Sequence, residues 1–400
     1  MRFSKKIESC NLSPIRKFHP YALEAEAKGR KIYHLNIGQP DIATPKEFFD
    51  AIQNFRDPVL AYAPSAGIPE YVESVRQYYA GLGISLETGD ILATNGGSEA
   101  LQIVLQCILD EGDEVLIPEP FAPNYTTFVR LAGGQVHPIP TSAEEGFFYG
   151  ARDRIEREIT PRTKAILITN PGNPTGAILS PESTRIIADI AWEHDLYVIA
   201  DEVYREFVYG DQKIVSLAEF PDVAQNVVII DSISKRFSAC GARIGALISR
   251  NKELIGHAMK VCQGRLCCST LDQLGAAALY SEGPAYFAVQ KEEYHRRRDT
   301  VMEKLSQIPG VVCKCPEGAF YLMAKLPIDD ADAFQKWLLT DFEDHGDTVM
   351  FAPGEQFYGT PGKGKNEIRI AYVLKQADLE RAMDLLAMGI QAYQGRTQGA

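Results

Sequence analysis

The chain has 400 residues, of which 45% are hydrophobic and 24% charged, a balance typical of one large or two ordinary globular domains. The net charge of −12 argues against nucleic acid or an anionic membrane as the main partner, and no apolar run approaches the ~20 residues of a membrane span. The N-terminus lacks the apolar core of a signal peptide, and the eight cysteines lack metal-ligand spacing. We therefore expect a cytoplasmic protein with reduced, mostly buried thiols and no metal site.

Apolar, β-branched runs alternate with amphipathic stretches between about residues 90 and 250. Such runs predict strands buried on both faces, and the stretches between them predict the covering helices. The predicted fold class is therefore α/β, with a large domain built on a mostly parallel, helix-covered sheet. The predicted strands are 90–94, 114–118, 165–169, 197–200, 227–230 and 246–249, and the predicted helices include 98–109, 125–131 and 181–194.

The segment from about residue 285 onward has a different character. It opens with a charged helical run, 291–299, and continues with short strands and helices, which predicts a smaller α+β domain. The first 44 residues are rich in proline and turn signals, and we expect them to pack against that smaller domain. The predicted large domain is 45–284, and the predicted small domain combines 1–44 with 285–400.

Lys235 lies in a polar turn directly after the apolar run 226–231, between serines, and Arg243 follows eight residues later between two glycines. A lysine at the end of a buried strand loses hydration, which prepares its amine to form an imine. An arginine among small residues suits a phosphate dianion. From this segment alone, a solvated loop lysine is an equally good interpretation.

Three other predicted strand ends also carry polar residues, and ligands of open α/β sheets bind beyond the carboxyl ends of the strands. The loop Asn170-Pro-Gly-Asn-Pro-Thr-Gly176 presents two side-chain amides in a tight turn. Asp201 ends an apolar run, where a carboxylate needs a cation or a donor unless it only caps a turn, and Tyr204 follows it. The glycine turn 94–101 leads from a strand into a helix, whose N-terminus can bind phosphate.

The order and spacing of these segments resemble the class I/II aminotransferases, a family of fold-type I pyridoxal-phosphate enzymes. The resemblance covers nearly the whole chain and implies the cofactor pyridoxal 5'-phosphate. It implies that Lys235 binds the cofactor as an imine, and that Asp201 pairs with its pyridine nitrogen so that the ring acts as an electron sink. It further implies that Asn173 and Tyr204 bind the phenolic oxygen, with a cis bond at Asn173-Pro174. The residues expected at the phosphate are Gly97, Ser98, Ser232 and Arg243.

Further segments of the same family imply a homodimer with shared active sites. Tyr62 corresponds to a tyrosine that reaches the partner subunit's phosphate, and Gly38 lies in a stretch whose backbone lines the substrate pocket. Arg369 corresponds to the arginine that binds the substrate α-carboxylate, for which a planar guanidinium is suited. The chain departs from many relatives at Ala122, where they place an aromatic ring over the cofactor. Phe121 or Tyr125 substitutes for that ring, or that face of the cofactor is open.

The reaction implied is a ping-pong amino transfer from an L-amino acid to 2-oxoglutarate, with Lys235 also serving as general base. Arg265 lies where aspartate-specific relatives carry a second arginine for the distal carboxylate, so aspartate is the expected donor; a structural contact is the alternative for Arg265. An aromatic or broad-specificity aminotransferase is the alternative function. A pyridoxal-phosphate C–S β-lyase would share every cofactor residue.

Overall fold

The fold is that of a computed structural model, which describes residues 2–398. Its strands are β1 (Lys31–His34), β2 (Ile91–Thr94), β3 (Glu114–Pro118), β4 (Gln135–Ile139), β5 (Thr163–Thr169), β6 (Tyr197–Asp201), β7 (Val227–Ser232), β8 (Gly245–Ile248), β9 (Tyr321–Lys325), β10 (Asp347–Met350), β11 (Ala352–Pro353) and β12 (Glu367–Ala371). Its α-helices are α1 (Lys5–Glu8), α2 (His19–Ala27), α3 (Lys46–Gln53), α4 (Pro69–Gly81), α5 (Gly97–Ile108), α6 (Asn124–Leu131), α7 (Arg152–Glu156), α8 (Pro181–Glu193), α9 (Ile233–Arg236), α10 (Lys252–Arg265), α11 (Thr270–Leu279), α12 (Pro284–Ser306), α13 (Ala331–Thr340) and α14 (Gln376–Gln398).

A seven-stranded sheet with the order β2-β8-β7-β6-β5-β3-β4 forms the centre of the larger unit. Its strands pair in parallel except β8, which runs antiparallel to both β2 and β7. Helices α5, α6 and α10 pack their apolar residues on one face, and α4, α8 and α11 pack theirs on the other. The prediction of an α/β fold with a mostly parallel, helix-covered sheet is confirmed.

The C-terminal part contains a second set of sheets and its own hydrophobic core. Strands β11, β12 and β9 form an antiparallel sheet, and helices α12, α13 and α14 supply much of the core around it. Strand β1 pairs in parallel with β10, so the N-terminal stretch lies beside the C-terminal part. This pairing involves residues 31–34 only. Nearer the N-terminus, Lys6 lies 3.4 Å from Glu111 and the Ser9 carbonyl accepts from Arg130 of α6, so those residues lie beside the larger unit, and the domain assignment of residues 1–44 stays a prediction.

All six predicted strands of the central sheet are present, each within two residues of its predicted bounds. Strand β4 was missing from the prediction. It pairs only with β3 and contains Pro138, which a parallel sheet tolerates at its edge because an edge strand needs fewer backbone donors. Of its five residues only Ile139 is fully buried, which weakens the apolar pattern that marks the inner strands.

Composition also led to expectations about membrane spans and about the cysteines. Across residues 2–398, each helix falls short of either the length or the apolar character that crossing a bilayer requires. All eight cysteines are unpaired, as predicted, but only Cys262 and Cys268 are fully buried. The expectation of mostly buried thiols was therefore wrong, because several cysteines lie near helix ends and in loops rather than in the sheet core.

Candidate active site

The candidate site lies at the carboxyl edge of the central sheet. The parallel strands β5, β6 and β7 end there, at Thr169, Asp201 and Ser232 respectively. The segments that follow these strands carry Asn173, Tyr204 and Lys235, so the sheet brings together residues that are far apart in sequence. In the loop after β5, the Asn170-Pro171 and Asn173-Pro174 bonds are both cis, and the second was expected from the sequence.

Asp201 is a buried carboxylate that is held by two hydrogen bonds. Its Oδ2 accepts from the Tyr125 hydroxyl at 2.7 Å, and its Oδ1 accepts from the Val203 N–H at 3.3 Å. Burial raises the pKa of Asp201 to about 6, and the nearby charge of Asp231 adds to this increase. No lysine or arginine of residues 2–398 forms a salt bridge with it, so a cation bound at this edge would relieve the cost of burying its charge.

Lys235 reaches from the short helix α9 toward the segment that follows β1. Its Nζ donates a hydrogen bond to the Gly38 carbonyl at 2.8 Å, and the Cys240 sulfur lies 3.7 Å away. Gly38 also packs closely against Tyr321. A Cβ added at position 38 would lie only 1.8 Å from the Tyr321 hydroxyl oxygen. Position 38 therefore has no room for a side chain while Tyr321 occupies its place.

A chain of polar contacts connects Tyr204 with Arg369. The Tyr204 and Tyr321 hydroxyls lie 3.0 Å apart, and Asn173 Nδ2 donates to the Tyr204 hydroxyl at 3.5 Å. Asn173 Oδ1 in turn accepts from Arg369 Nη1 at 3.2 Å. Burial holds the pKa of Tyr204 well above its usual range, so the residue stays a phenol that can donate a hydrogen bond.

Arg369 is a buried cation that forms no salt bridge with any carboxylate of residues 2–398. Its side chain lies over the rings of Tyr321 and Phe357, 4.7 and 5.0 Å from their centroids, and Nη2 donates to the Asn36 carbonyl at 2.6 Å. Its Nε is buried and has no hydrogen-bond partner among the described residues. Burial lowers the pKa of Arg369, and only tyrosines oppose that effect. A bound carboxylate would supply both the missing charge and the missing acceptor.

The turn before α5 offers backbone donors beside a guanidinium. Gly96 has φ +77°, a left-handed conformation that favours glycine, and Gly97 and Ser98 begin the helix, where N–H groups lack intrahelical acceptors. Arg243, also left-handed at φ +53°, donates to the Asn95 carbonyl at 3.4 Å. A Cβ at Gly96 would lie 2.4 Å from Arg243 Nη2, so the turn and the guanidinium are in direct contact.

Ser232 caps helix α9 in this structure. Its Oγ accepts from the Ser234 N–H at 3.1 Å and lies 3.1 Å from the Ile244 carbonyl and 2.9 Å from Ser234 Oγ. A hydroxyl has only one proton to donate. If Ser232 binds a phosphate, as the sequence predicts, that proton has to turn away from its present acceptors.

Two of the expected site residues do not join this cluster within the chain. Tyr62 is 82% exposed, which leaves it accessible to a second subunit. Arg265, the last residue of α10, is instead bound inside its own chain: Nη2 donates to the carbonyls of Ala93 at 3.2 Å and Ser65 at 3.3 Å, and Nη1 lies 3.7 Å from Glu99 Oε2.

A cavity of about 850 Å³ opens beside this cluster. Its wall includes Asn173, Arg369 and Ala122, and its volume lies within the range of small-molecule sites. Ala122 is among the lining residues, although only 6% of its surface is exposed. Tyr125 was one of two residues considered as a substitute for the ring that Ala122 lacks. Its hydroxyl is hydrogen-bonded to Asp201.

Sequence reasoning missed Tyr321 entirely and assigned no hydrogen bond to Tyr125. Tyr321 contacts Gly38 across 283 positions of the sequence, and no local motif signals a contact of that kind. Tyr125 was considered only as a ring over the cofactor. The signal that could have revealed its role is its place in the first turn of α6, after β3, at the same sheet edge as Asp201.

The residues present fit a phosphorylated pyridine aldehyde. Asp201 is a buried carboxylate that needs a cation, Lys235 supplies an amine, and the turn at Gly96 with Arg243 forms a cradle that a Cβ would fill. These three features match the nitrogen, the aldehyde and the phosphate of such a molecule.

Comparison with known proteins places this architecture in a family. The model of aminotransferase class I and II matches residues 30–386. The aspartate aminotransferase of Bacillus subtilis is 30% identical over 98% of this chain and 100% of its own length. Aromatic-amino-acid aminotransferase 2 of Thermococcus litoralis is 32% identical over 96% of this chain and 97% of its own. The structure of Thermus thermophilus aspartate aminotransferase with maleate has a TM-score of 0.86 and 30% identity, and covers 97% of this chain and 100% of that one.

Proposed function

The chain belongs to the class I and II aminotransferases, and we propose that it uses pyridoxal 5'-phosphate to move the amino group of an L-amino acid to 2-oxoglutarate. The observation that carries this proposal is the continuous series of contacts from Lys235 through Gly38, Tyr321, Tyr204 and Asn173 to Arg369. It joins an amine suited to an aldehyde with a buried cation suited to a carboxylate.

The residues that would hold the cofactor are those at the edge of the sheet. Lys235 would hold it covalently, Asp201 would pair with the ring nitrogen, and Tyr204 and Asn173 would bind the phenolic oxygen. Bound pyridoxal phosphate supplies an electron sink for negative charge that develops at the substrate Cα. The residues proposed for the phosphate are Gly97, Ser98, Ser232 and Arg243.

The chain's own residues bind and orient the substrate and move its proton. The Arg369 guanidinium binds the α-carboxylate, because it is buried and has an unpartnered Nε. Lys235 would serve as the general base that takes the proton from the substrate Cα, a role that requires its amine to lie within reach of that proton. Asn173 contacts both Tyr204 and Arg369, which couples the cofactor side of the site to the substrate side.

We further propose a homodimer in which Tyr62 completes the phosphate site of the partner subunit. The 82% exposure of Tyr62 supports this assignment, since the side chain is accessible to a second subunit. The cytoplasmic location expected from the sequence stays a prediction.

Aspartate is the proposed amino donor, because relatives named aspartate aminotransferase match this chain over nearly its full length. A neutral or aromatic amino acid is the second candidate. It is favoured by the internal contacts of Arg265, since a guanidinium held by Glu99 and two backbone carbonyls has less freedom to bind a distal carboxylate. The binding of the substrate's distal carboxylate by Arg265 stays a prediction.

A half-reaction screen tests the proposed function. The purified, cofactor-loaded protein is mixed with one amino acid at a time, and the absorbance of the bound cofactor is followed. An aminotransferase converts the cofactor to its amine form and releases one equivalent of 2-oxo acid without an acceptor. Continuous release of ammonia and pyruvate instead would identify a β-lyase, and Lys235→Ala serves as the control that lacks the reactive amine.

A further inference from the structure

Arg265 forms more contacts with its own chain than its expected substrate role requires. Its side chain is only 14% exposed, and its two terminal nitrogens contact Glu99, the carbonyls of Ala93 and Ser65, and the sulfur of Cys268. These partners belong to different elements: Glu99 lies in α5, Ala93 in β2, and Ser65 in the segment that carries Tyr62. One guanidinium therefore connects three parts of the large unit.

Glu99, which contacts Arg265, also binds the turn at Gly96. Its Oε2 accepts from the Asn95 N–H at 2.6 Å, and its Oε1 accepts from Asn95 Nδ2 at 3.0 Å. Asn95 immediately precedes Gly96, and its carbonyl is the acceptor of Arg243. Asn95, which precedes the turn, is thus bound both by the Glu99 carboxylate and by the Arg243 guanidinium.

The segment that carries Tyr62 is fixed to the same place. Besides the bond from Arg265 to the Ser65 carbonyl, the Ala66 carbonyl accepts from the Ala93 N–H at 2.8 Å. Strand β2, which contains Ala93, leads directly into the turn. A small number of contacts therefore connects the turn with the Tyr62 segment, and Arg265 takes part in three of them, with Ser65, Ala93 and Glu99.

We propose that Arg265 and Glu99 are positioning residues that hold the phosphate-binding turn against the segment carrying Tyr62. This inference rests on the proposed function, because it assigns the turn to the phosphate of pyridoxal phosphate. Arg265 has an electrostatic role as well as a geometric one. A carboxylate beside a phosphate site repels the phosphate, and the charge of Arg265 compensates that of Glu99.

The test measures the affinity of the cofactor-free protein for pyridoxal phosphate, followed by quenching of protein fluorescence. Arg265→Leu should weaken binding about tenfold or more, since it removes charged hydrogen bonds and leaves Glu99 uncompensated. Adding Glu99→Gln to Arg265→Leu should recover part of that affinity, because the amide keeps an acceptor for Asn95 and removes the repelling charge. Arg265→Lys keeps the charge and provides a milder change if the leucine variant folds poorly.

A matched control is Glu87→Ala, which removes an exposed ion pair with Lys252 at the other end of α10 and should leave the affinity unchanged. The ratio of aspartate to phenylalanine activity is measured in the same variants. A positioning role leaves this ratio unchanged, because the cofactor is common to both substrates.

Two results would overturn the inference. One is wild-type affinity for the cofactor in Arg265→Leu and Arg265→Lys. The other is a lower affinity that Glu99→Gln fails to recover, together with a fall in the aspartate ratio, which would assign Arg265 to the distal carboxylate. Failure of the proposed function itself looks different: the wild-type protein would then not bind pyridoxal phosphate through Lys235 at all.

Discussion

The buried carboxylate of Asp201 should make the cofactor-free protein less stable at neutral pH than a neutral side chain at the same position would. Its pKa is raised from 3.8 to about 6, chiefly by burial. The folded chain therefore binds a proton at Asp201 more tightly than the unfolded chain does. The resulting stability is fully present below the unfolded pKa and is lost as the pH rises through the folded pKa.

The size of this effect follows from the shift in pKa. A difference of about 2 pH units corresponds to about 3 kcal/mol of unfolding free energy, at 1.36 kcal/mol per unit. Asp201→Asn removes the ionisation and with it this loss of stability. The amide has one acceptor oxygen instead of two, so one of the bonds from Tyr125 and Val203 is weakened, at a cost of about 1 kcal/mol that does not depend on pH.

Urea unfolding of the cofactor-free proteins, at about pH 8 and about pH 4, measures the two contributions separately. At the higher pH Asp201→Asn should be more stable than the wild type by about 2 kcal/mol, and at the lower pH equal or slightly less stable. Asp211→Asn, at an exposed turn, is the matched control and should show no such pH dependence. A stability difference that is the same at both pH values would refute the reasoning.

The Asp201→Asn protein loaded with cofactor should lose most of its amino-transfer activity, because the ring nitrogen loses its anionic partner.

Three further predictions concern the site. Lys235→Ala should abolish covalent attachment of the cofactor, and mass spectrometry of the borohydride-reduced wild type should find one cofactor per chain at Lys235; a label on another lysine would contradict the assignment. Arg369→Leu should lower kcat/KM for every amino acid by about 2–5 kcal/mol in transition-state terms, whereas an effect confined to one substrate would exclude a role at the α-carboxylate. Tyr321→Phe keeps the ring beneath Arg369 but removes the hydroxyl near Tyr204. It should therefore shift the pH titration of the bound cofactor's absorbance while changing KM little, and an unchanged titration would argue against this contact.

The sequence predicted the inner part of the fold well because burial on both faces leaves a clear pattern. The parallel strands β5, β6 and β7 are continuous apolar runs, and each is followed by polar residues that the sheet edge brings together. Asp201 and Lys235 could be singled out for the same reason, since polar groups directly after such runs need a physical explanation. Edge strand β4 lacks this double burial and escaped detection.

The parts of the site that could not be predicted depend on contacts between distant segments. The approach of Tyr321 to Gly38 requires β9 to lie beside the segment after β1, which no local pattern encodes. The contacts of Arg265 show a second limit. Its position in the sequence matches that of a substrate-binding arginine, but its partner Glu99 lies 166 positions earlier in the chain, and only the folded structure shows that the two are close.

The bond from Lys235 to the Gly38 carbonyl has a mechanical consequence. The lysine follows β7 of the central sheet, whereas Gly38 follows β1, which is paired with β10 of the C-terminal part. The Lys235 amine and its acceptor therefore follow strands of two different sheets. A displacement that separates the two segments would stretch this bond, so the orientation of the amine depends on how closely the segment after β1 approaches the edge of the central sheet.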